Sequence, residues 1–258
     1  MNPHITHTAI MKHFLPTAVV LLVCAAASVP PVAAQTRQPY DRTPYRIDTA
    51  FVNLFDAGSL SLCGITLPYR IARLGGSDAG AESAAPAVVV YLHSRSASGN
   101  DNAKPVSRGA VKRLYEHLAA GHTPALLLVP QCPDNRVWSE RYTNGWQMTA
   151  VVKETLDTIV TRYGADPRRL YVFADASGGA GVWRMLSDYP DLFAAAMVAG
   201  SYPSRVNEKN AARTPLCCVV GDSDDVAPRT KVEPTVERLK KRGADVRFVE
   251  LAAADHVK

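Results

Sequence analysis

Along this chain Ile65 to Leu74 resembles an early strand, Ala87 to Leu92 is a continuous apolar run, and Ala125 to Val129, Leu170 to Phe173, Ala194 to Val198, Leu216 to Val220 and Val246 to Leu251 repeat its character. Runs of that length are what strands buried on both faces of a parallel sheet require. Between them the period changes. Val152, Leu156, Ile159 and Val160 fall on one helical stripe, and Val232, Val236 and Leu239 on another. Strands alternating with amphipathic helices predict an α/β fold, a mostly parallel sheet with helices on both faces. Ligands of such sheets sit at the carboxyl ends of the strands. The loops to read for chemistry therefore begin at His93, Pro130, Ala174, Ser201, Gly221 and Ala252.

The N-terminal pattern is of another kind. Lys12 precedes an apolar run from Phe14 to Ala27, and Val32-Ala33-Ala34 follows. A charged start, a short apolar core and small residues before Gln35 predict a secretory signal over residues 1–34, cleaved after Ala34. That core is too short to span a bilayer, so no membrane span is expected. The bulky Val23 before Cys24 argues against a lipid anchor there. Residues 35–44, polar with two prolines, read as a linker, and 45–258 as one α/β domain. The expected location is secreted or periplasmic. Ser77 to Pro86, rich in Gly, Ala and Ser, reads as a surface loop.

Composition changes little in this picture. The leader carries one Lys and no acid, so its removal takes the formal charge from +5 to +4. The one basic cluster, Lys240-Lys241-Arg242, ends a predicted helix, where cations complement the helix dipole; no nucleic-acid partner is expected. Cys63, Cys132, Cys217 and Cys218 follow the leader. Export permits a disulfide without saying which pair forms. Cys217 and Cys218 sit inside an apolar strand as small hydrophobes, with no histidine pattern suggesting zinc.

The loops carry a series of motifs. Leu67-Pro68-Tyr69-Arg70 leads to Tyr91-Leu92-His93-Ser94 and Ser98-Gly99-Asn100-Asp101-Asn102. Pro130-Gln131-Cys132-Pro133, Trp138 and Asp166-Pro167-Arg168-Arg169 follow, then Gly178-Gly179-Ala180-Gly181-Val182-Trp183, Tyr189-Pro190-Asp191-Leu192-Phe193 and Gly221-Asp222-Ser223-Asp224. From Leu67 to His256 the series resembles the α/β-hydrolase superfamily, within the secreted esterases and predicted peptidases related to polyhydroxybutyrate depolymerases and feruloyl esterases. The resemblance implies an α/β-hydrolase fold, a Ser, acid, His triad, an ester or other acyl substrate and no cofactor. In such a triad a serine on a tight strand-to-helix turn attacks, a histidine takes its proton, an aspartate orients the histidine, and backbone N–H groups hold the oxyanion. It implies Asp224 as the acid, with Asp222 and Asp225 as rivals, and His256 as the base.

The nucleophile departs from the pattern. In related sequences the serine stands seven residues after the strand's opening arginine and seven before the helix tryptophan. Counting from Arg169 and from Trp183 lands on Ala176, with Ser177 one place later. If the turn slips by one residue, Ser177 attacks, but Asp175 then fills a position that wants a very small side chain. If it does not slip, Ala174 and Gly178 are the small neighbours a tight turn accommodates, Ala176 is the apex, and the covalent route is lost. The active form would be an exported esterase using Ser177, Asp224 and His256 with backbone donors near Ser94 and Gly178. The inactive form would bind a glycan, peptide or acyl ligand in the same cleft. Asp175 as an alternative nucleophile stands one residue short of the apex. Trp138 and Trp146, with Arg141 and Tyr142, line an acyl or sugar pocket or simply pack a long loop. Asn100, Asp101 and Asn102 read as a turn before they read as a metal site.

Overall fold

A computed structural model describes residues 46–76, 84–140 and 147–256. The expected leader, the linker and the loop residues Arg141, Tyr142 and Trp146 lie outside these residues. In chain order the elements are α1 (Thr49–Val52), β1 (Asp56–Leu62), β2 (Ile65–Leu74), β3 (Ala87–Leu92), α2 (Gly109–Ala119), β4 (Ala125–Pro130), α3 (Met148–Tyr163), β5 (Leu170–Asp175), α4 (Ser177–Asp188), β6 (Ala195–Ala199), α5 (Glu208–Ala211), β7 (Leu216–Gly221), α6 (Arg229–Lys241) and β8 (Val246–Leu251). The eight strands form one sheet in the order β1-β2-β4-β3-β5-β6-β7-β8. β2 runs antiparallel to β1 and β4, and the pairs from β4 across to β8 are parallel.

The continuous apolar runs serve two faces at once, because successive strand residues point to opposite sides. Val88, Val90 and Leu92 join one core with Leu156 and Ile159 of α3, Val182 and Trp183 of α4, and Val232, Val236 and Leu239 of α6. Val89 and Tyr91 join the other, with Val111, Leu114 and Leu118 of α2 and Phe55. All six residues of each of β3, β4 and β7 are buried. The central strands are thereby fixed in register, since a slip of one residue would exchange the two cores.

Cys217 and Cys218 are neighbours on β7 and face opposite ways, Cys218 into the first core and Cys217 into a small third cluster with Val219. Among the described residues none of Cys63, Cys132, Cys217 and Cys218 is joined in a disulfide. Burial pushes the Cys132 and Cys218 thiols up to about 12, which keeps them protonated and unreactive. The basic end of α6 is neutralised locally. Lys240 pairs with Glu237, and Arg238 and Arg242 both reach Glu208. No helix among the described residues is long and apolar enough to cross a membrane.

Candidate active site

The carboxyl ends of β3, β5, β7 and β8 deliver the polar groups. At the end of β7 the chain turns through Asp224, whose side chain is wholly buried. Its Oδ1 accepts the backbone N–H groups of Val226 at 2.9 Å and Ala227 at 2.8 Å. Both of its carboxylate oxygens also lie against His256 Nδ1, at 3.0 and 2.9 Å. A carboxylate so placed holds Nδ1 as the protonated nitrogen and leaves Nε2 as the acceptor. The His256 side chain is one-quarter exposed, at 26%.

The two rival acids do something else. Asp222 is exposed, and its Oδ2 accepts the Ala253 backbone N–H at 3.0 Å, so it braces the loop that carries His256. That N–H and the Ser223 hydroxyl hold its carboxyl below the usual range. Asp225 is exposed. The β7 turn and the β8 loop also meet directly, since a side chain at Gly221 would begin 2.2 Å from the Ala254 carbonyl oxygen.

The strand-to-helix turn settles which residue is at the apex. Ala176 adopts φ 43° and ψ −120°, outside the regions open to L residues without strain, and α4 begins at Ser177. The turn does not slip, and the correction falls on Ser177. It occupies the first helical position, half-buried, and among the described residues no hydrogen bond joins it to His256. The helix start is otherwise as a hydrolase needs it. The Gly179 N–H bonds the Ala176 carbonyl at 3.0 Å, and Ala176 offers no side-chain oxygen to cap the N–H groups of the first turn. Gly178 lies so close to β3 that a Cβ there would sit 2.0 Å from the Leu92 carbonyl oxygen.

Asp175 is no nucleophile either. It is buried at 3% exposure, its Oδ2 lies 3.5 Å from Arg108 Nη2, and its Oδ1 has no hydrogen-bond partner. Burial raises its pKa, while Arg108 and the Ser94 backbone N–H pull the other way. Ser94, expected near the oxyanion, lies beside the buried Asp175 carboxylate. Its side chain is 7% exposed and pairs with Ser96 Oγ at 3.1 Å, which in turn accepts from Arg108 at 3.2 Å. The Tyr91 hydroxyl completes this buried group and is likewise unpartnered.

His93, read from sequence only as the end of a strand, is the pin of the region. Its Nδ1 donates to the Ser94 carbonyl at 2.7 Å and its Nε2 accepts the Cys132 N–H at 3.0 Å. That pattern fits neutral imidazole, and burial lowers its pKa to about 4. Trp138 also departs from the pocket-lining expectation. It is 3% exposed, its indole N–H donates to the His93 carbonyl at 2.9 Å, and its ring meets His93 edge-on. Asn100 to Asn102 form a turn. Asp101 accepts the N–H groups of Ala103 and Lys104, the buried Gln131 accepts that of Asn102, and no metal-holding cluster occurs among the described residues. His93 was findable from sequence, as the polar end of a buried strand. Arg108 carried no such signal, because its partner lies 67 residues away.

No family model and no curated protein matches the sequence. Solved structures do match the fold. A thermostable esterase superposes with a TM-score of 0.63 at 22% identity, over 79% of this chain and 56% of its own. The fold is that of the α/β-hydrolases. Esterase 2 of Thermogutta terrifontis, phosphorylated by paraoxon, gives 0.59 at 13% identity over 80% of this chain and 85% of its own. Esterase PE8 gives 0.53 at 16% identity over 72% and 89%. This α/β-hydrolase-fold chain thus spans little more than half of the thermostable esterase but most of the other two. A putative dipeptidyl aminopeptidase IV from Bacteroides ovatus also superposes, with a TM-score of 0.61 at 14% identity over 79% of this chain and 33% of its own, and the departure from the motif series lies in the turn at 176.

Proposed function

We propose that this chain is an exported α/β-hydrolase-fold protein whose cleft receives an acyl ester and holds it without forming an acyl-enzyme. The observation that carries this reading is Ala176 at φ 43°, the apex of the turn with a methyl group where a hydroxyl would attack. A methyl has no lone pair to give a carbonyl carbon, so no covalent intermediate forms at that position. The rest of the cleft suits an ester. His256 Nε2 accepts a hydrogen bond from water or from a hydroxyl on the ligand, Asp224 keeps the ring oriented, and the uncapped start of α4 offers N–H donors to an ester oxygen. The motif series from Leu67 to His256 supports a place beside secreted esterases related to polyhydroxybutyrate depolymerases and feruloyl esterases. The apolar leader after Lys12 supports export.

Labelling with a fluorophosphonate tests the reading. The native chain is expected to stay unlabelled, and Ala176→Ser to label and to hydrolyse p-nitrophenyl acetate. Labelling of the native chain that disappears in Ser177→Ala would instead establish Ser177 as the nucleophile of an active esterase. Failure of Ala176→Ser to react, in a folded protein, would remove the ester-cleft reading.

A further inference from the structure

Two of the large apolar side chains most open to solvent, Tyr202 at 45% and Val226 at 49% exposure, follow β6 and β7 at the carboxyl edge of the sheet. Neither belongs to a core, and each is tied to one half of the site. The Val226 N–H donates to the Asp224 oxygen that also faces His256. Tyr202 follows Ser201, which packs on the first turn of α4: a Cβ at Gly179 would lie 2.5 Å from that of Ser201. Lys231 joins the two residues. Its ammonium donates to the Val226 carbonyl at 3.3 Å and lies 5.1 Å from the centre of the Tyr202 ring. A cation against one face of a phenol ring holds the ring in place and leaves the other face free for an apolar group.

We infer that Tyr202 and Val226 form the binding lip for the apolar chain of the ester's acyl group. This rests on the proposed ester cleft and adds to it a specificity: an uncharged alkyl chain of several carbons, laid between the apex of the turn and the His256 loop. An apolar surface beside a proton-handling pair gains affinity from burial without asking anything of the chemistry. Tyr202 and Val226 are therefore specificity-determining and not catalytic residues.

The test uses a series of non-cleavable methyl ketones, from butanone to octanone, with affinity read by NMR titration of the intact chain and the His256 ring resonance as reporter. In the native chain each added methylene is expected to tighten binding by about fourfold, the burial of one methylene. In Tyr202→Ser/Val226→Ser the ketones still shift the His256 resonance but affinity no longer rises with chain length. Tyr202→Phe keeps the native slope. So does Leu54→Ser, an exposed leucine entering β1 at the far edge of the sheet. A slope that survives in the double variant, or one lost equally in Leu54→Ser, overturns the lip and leaves the ester cleft standing. Self-association of the native chain that the double variant abolishes also overturns it, assigning the patch to a second copy. A His256 resonance that no ketone moves brings down the ester cleft, and the lip with it.

Discussion

The two halves of the site differ in what holds them. On the β7 and β8 side, Asp224 and His256 are joined through loops that reach solvent, and each carboxylate oxygen has a hydrogen-bond partner. On the β3 and β5 side, Asp175, Arg108, Tyr91, Ser94 and His93 form a buried polar group in which the Asp175 Oδ1 and Tyr91 hydroxyl go unpaired. The first half is a closed acid–histidine pair, and the second carries the Ala176 methyl at its turn with the Asp175–Arg108 ion pair one residue before it. The Asp224–His256 pair stays assembled whatever stands at the turn, because Asp224 is held by the backbone N–H groups of Val226 and Ala227.

The sharpest way to break this contrast is to restore the missing group. In an Ala176→Ser background, His256→Ala is expected to lower turnover of p-nitrophenyl acetate by about a thousandfold or more, whereas Ser177→Ala leaves it within a few fold. Equal losses in the two would show that the helix-start serine takes part, and the division into halves would fail.

Next in size come two effects on folding in the buried half. Gly178→Ala drives a Cβ into the Leu92 carbonyl, a backbone atom that cannot swing aside, and should cost at least about 3 kcal/mol in denaturant unfolding. His93 gives a pH dependence of similar size. Its folded pKa of about 4 lies below the unfolded 6.5, so the unfolded chain binds the extra proton between those values. Stability contributed by the neutral ring is fully present above pH 6.5 and is lost as pH falls toward 4, by roughly 3 kcal/mol in all. Comparing the native chain with His93→Gln across that window isolates the term; a parallel pair of curves would mean that His93 is not buried neutral. The smallest effect has the unusual sign. Ala176→Gly should stabilise by about 1 kcal/mol, because only glycine holds a positive φ there without strain. A loss of stability would mean that the apex is relaxed.

The sheet was readable where burial was total. β3, buried at all six positions, has the bounds that its apolar run predicted, and so do β2 and β8, although these two carry Arg70, Arg73, Arg247 and Glu250 and are only partly buried. β1 escaped notice: Asp56-Ala57-Gly58-Ser59-Leu60-Ser61-Leu62 pairs only with β2 and is half-exposed, so its alternation is faint. α2 was missed although Val111, Leu114 and Leu118 keep a helical spacing, because its stripe is short and the surrounding charges mask it. At the site, the counts from Arg169 and Trp183 pointed to Ala176 as the apex, and the positive φ falls there. What sequence did not reveal was the Arg108–Asp175 pair, and for Trp138 it left packing and pocket-lining open, with the hydrogen bond to His93 beyond its reach. Both arise from contacts across the sheet, between residues far apart in the chain, and no local pattern encodes them.

The strained turn at Ala176 has a consequence for how such proteins change. Every alanine codon lies one base substitution from a serine codon, and this backbone already carries a side chain at the required angle. Regaining a nucleophile would need no prior remodelling of the turn, and the first round of random mutagenesis under selection for ester cleavage would sample it. On the proposed reading, a serine at that position is a matter of mutational supply and not of backbone geometry.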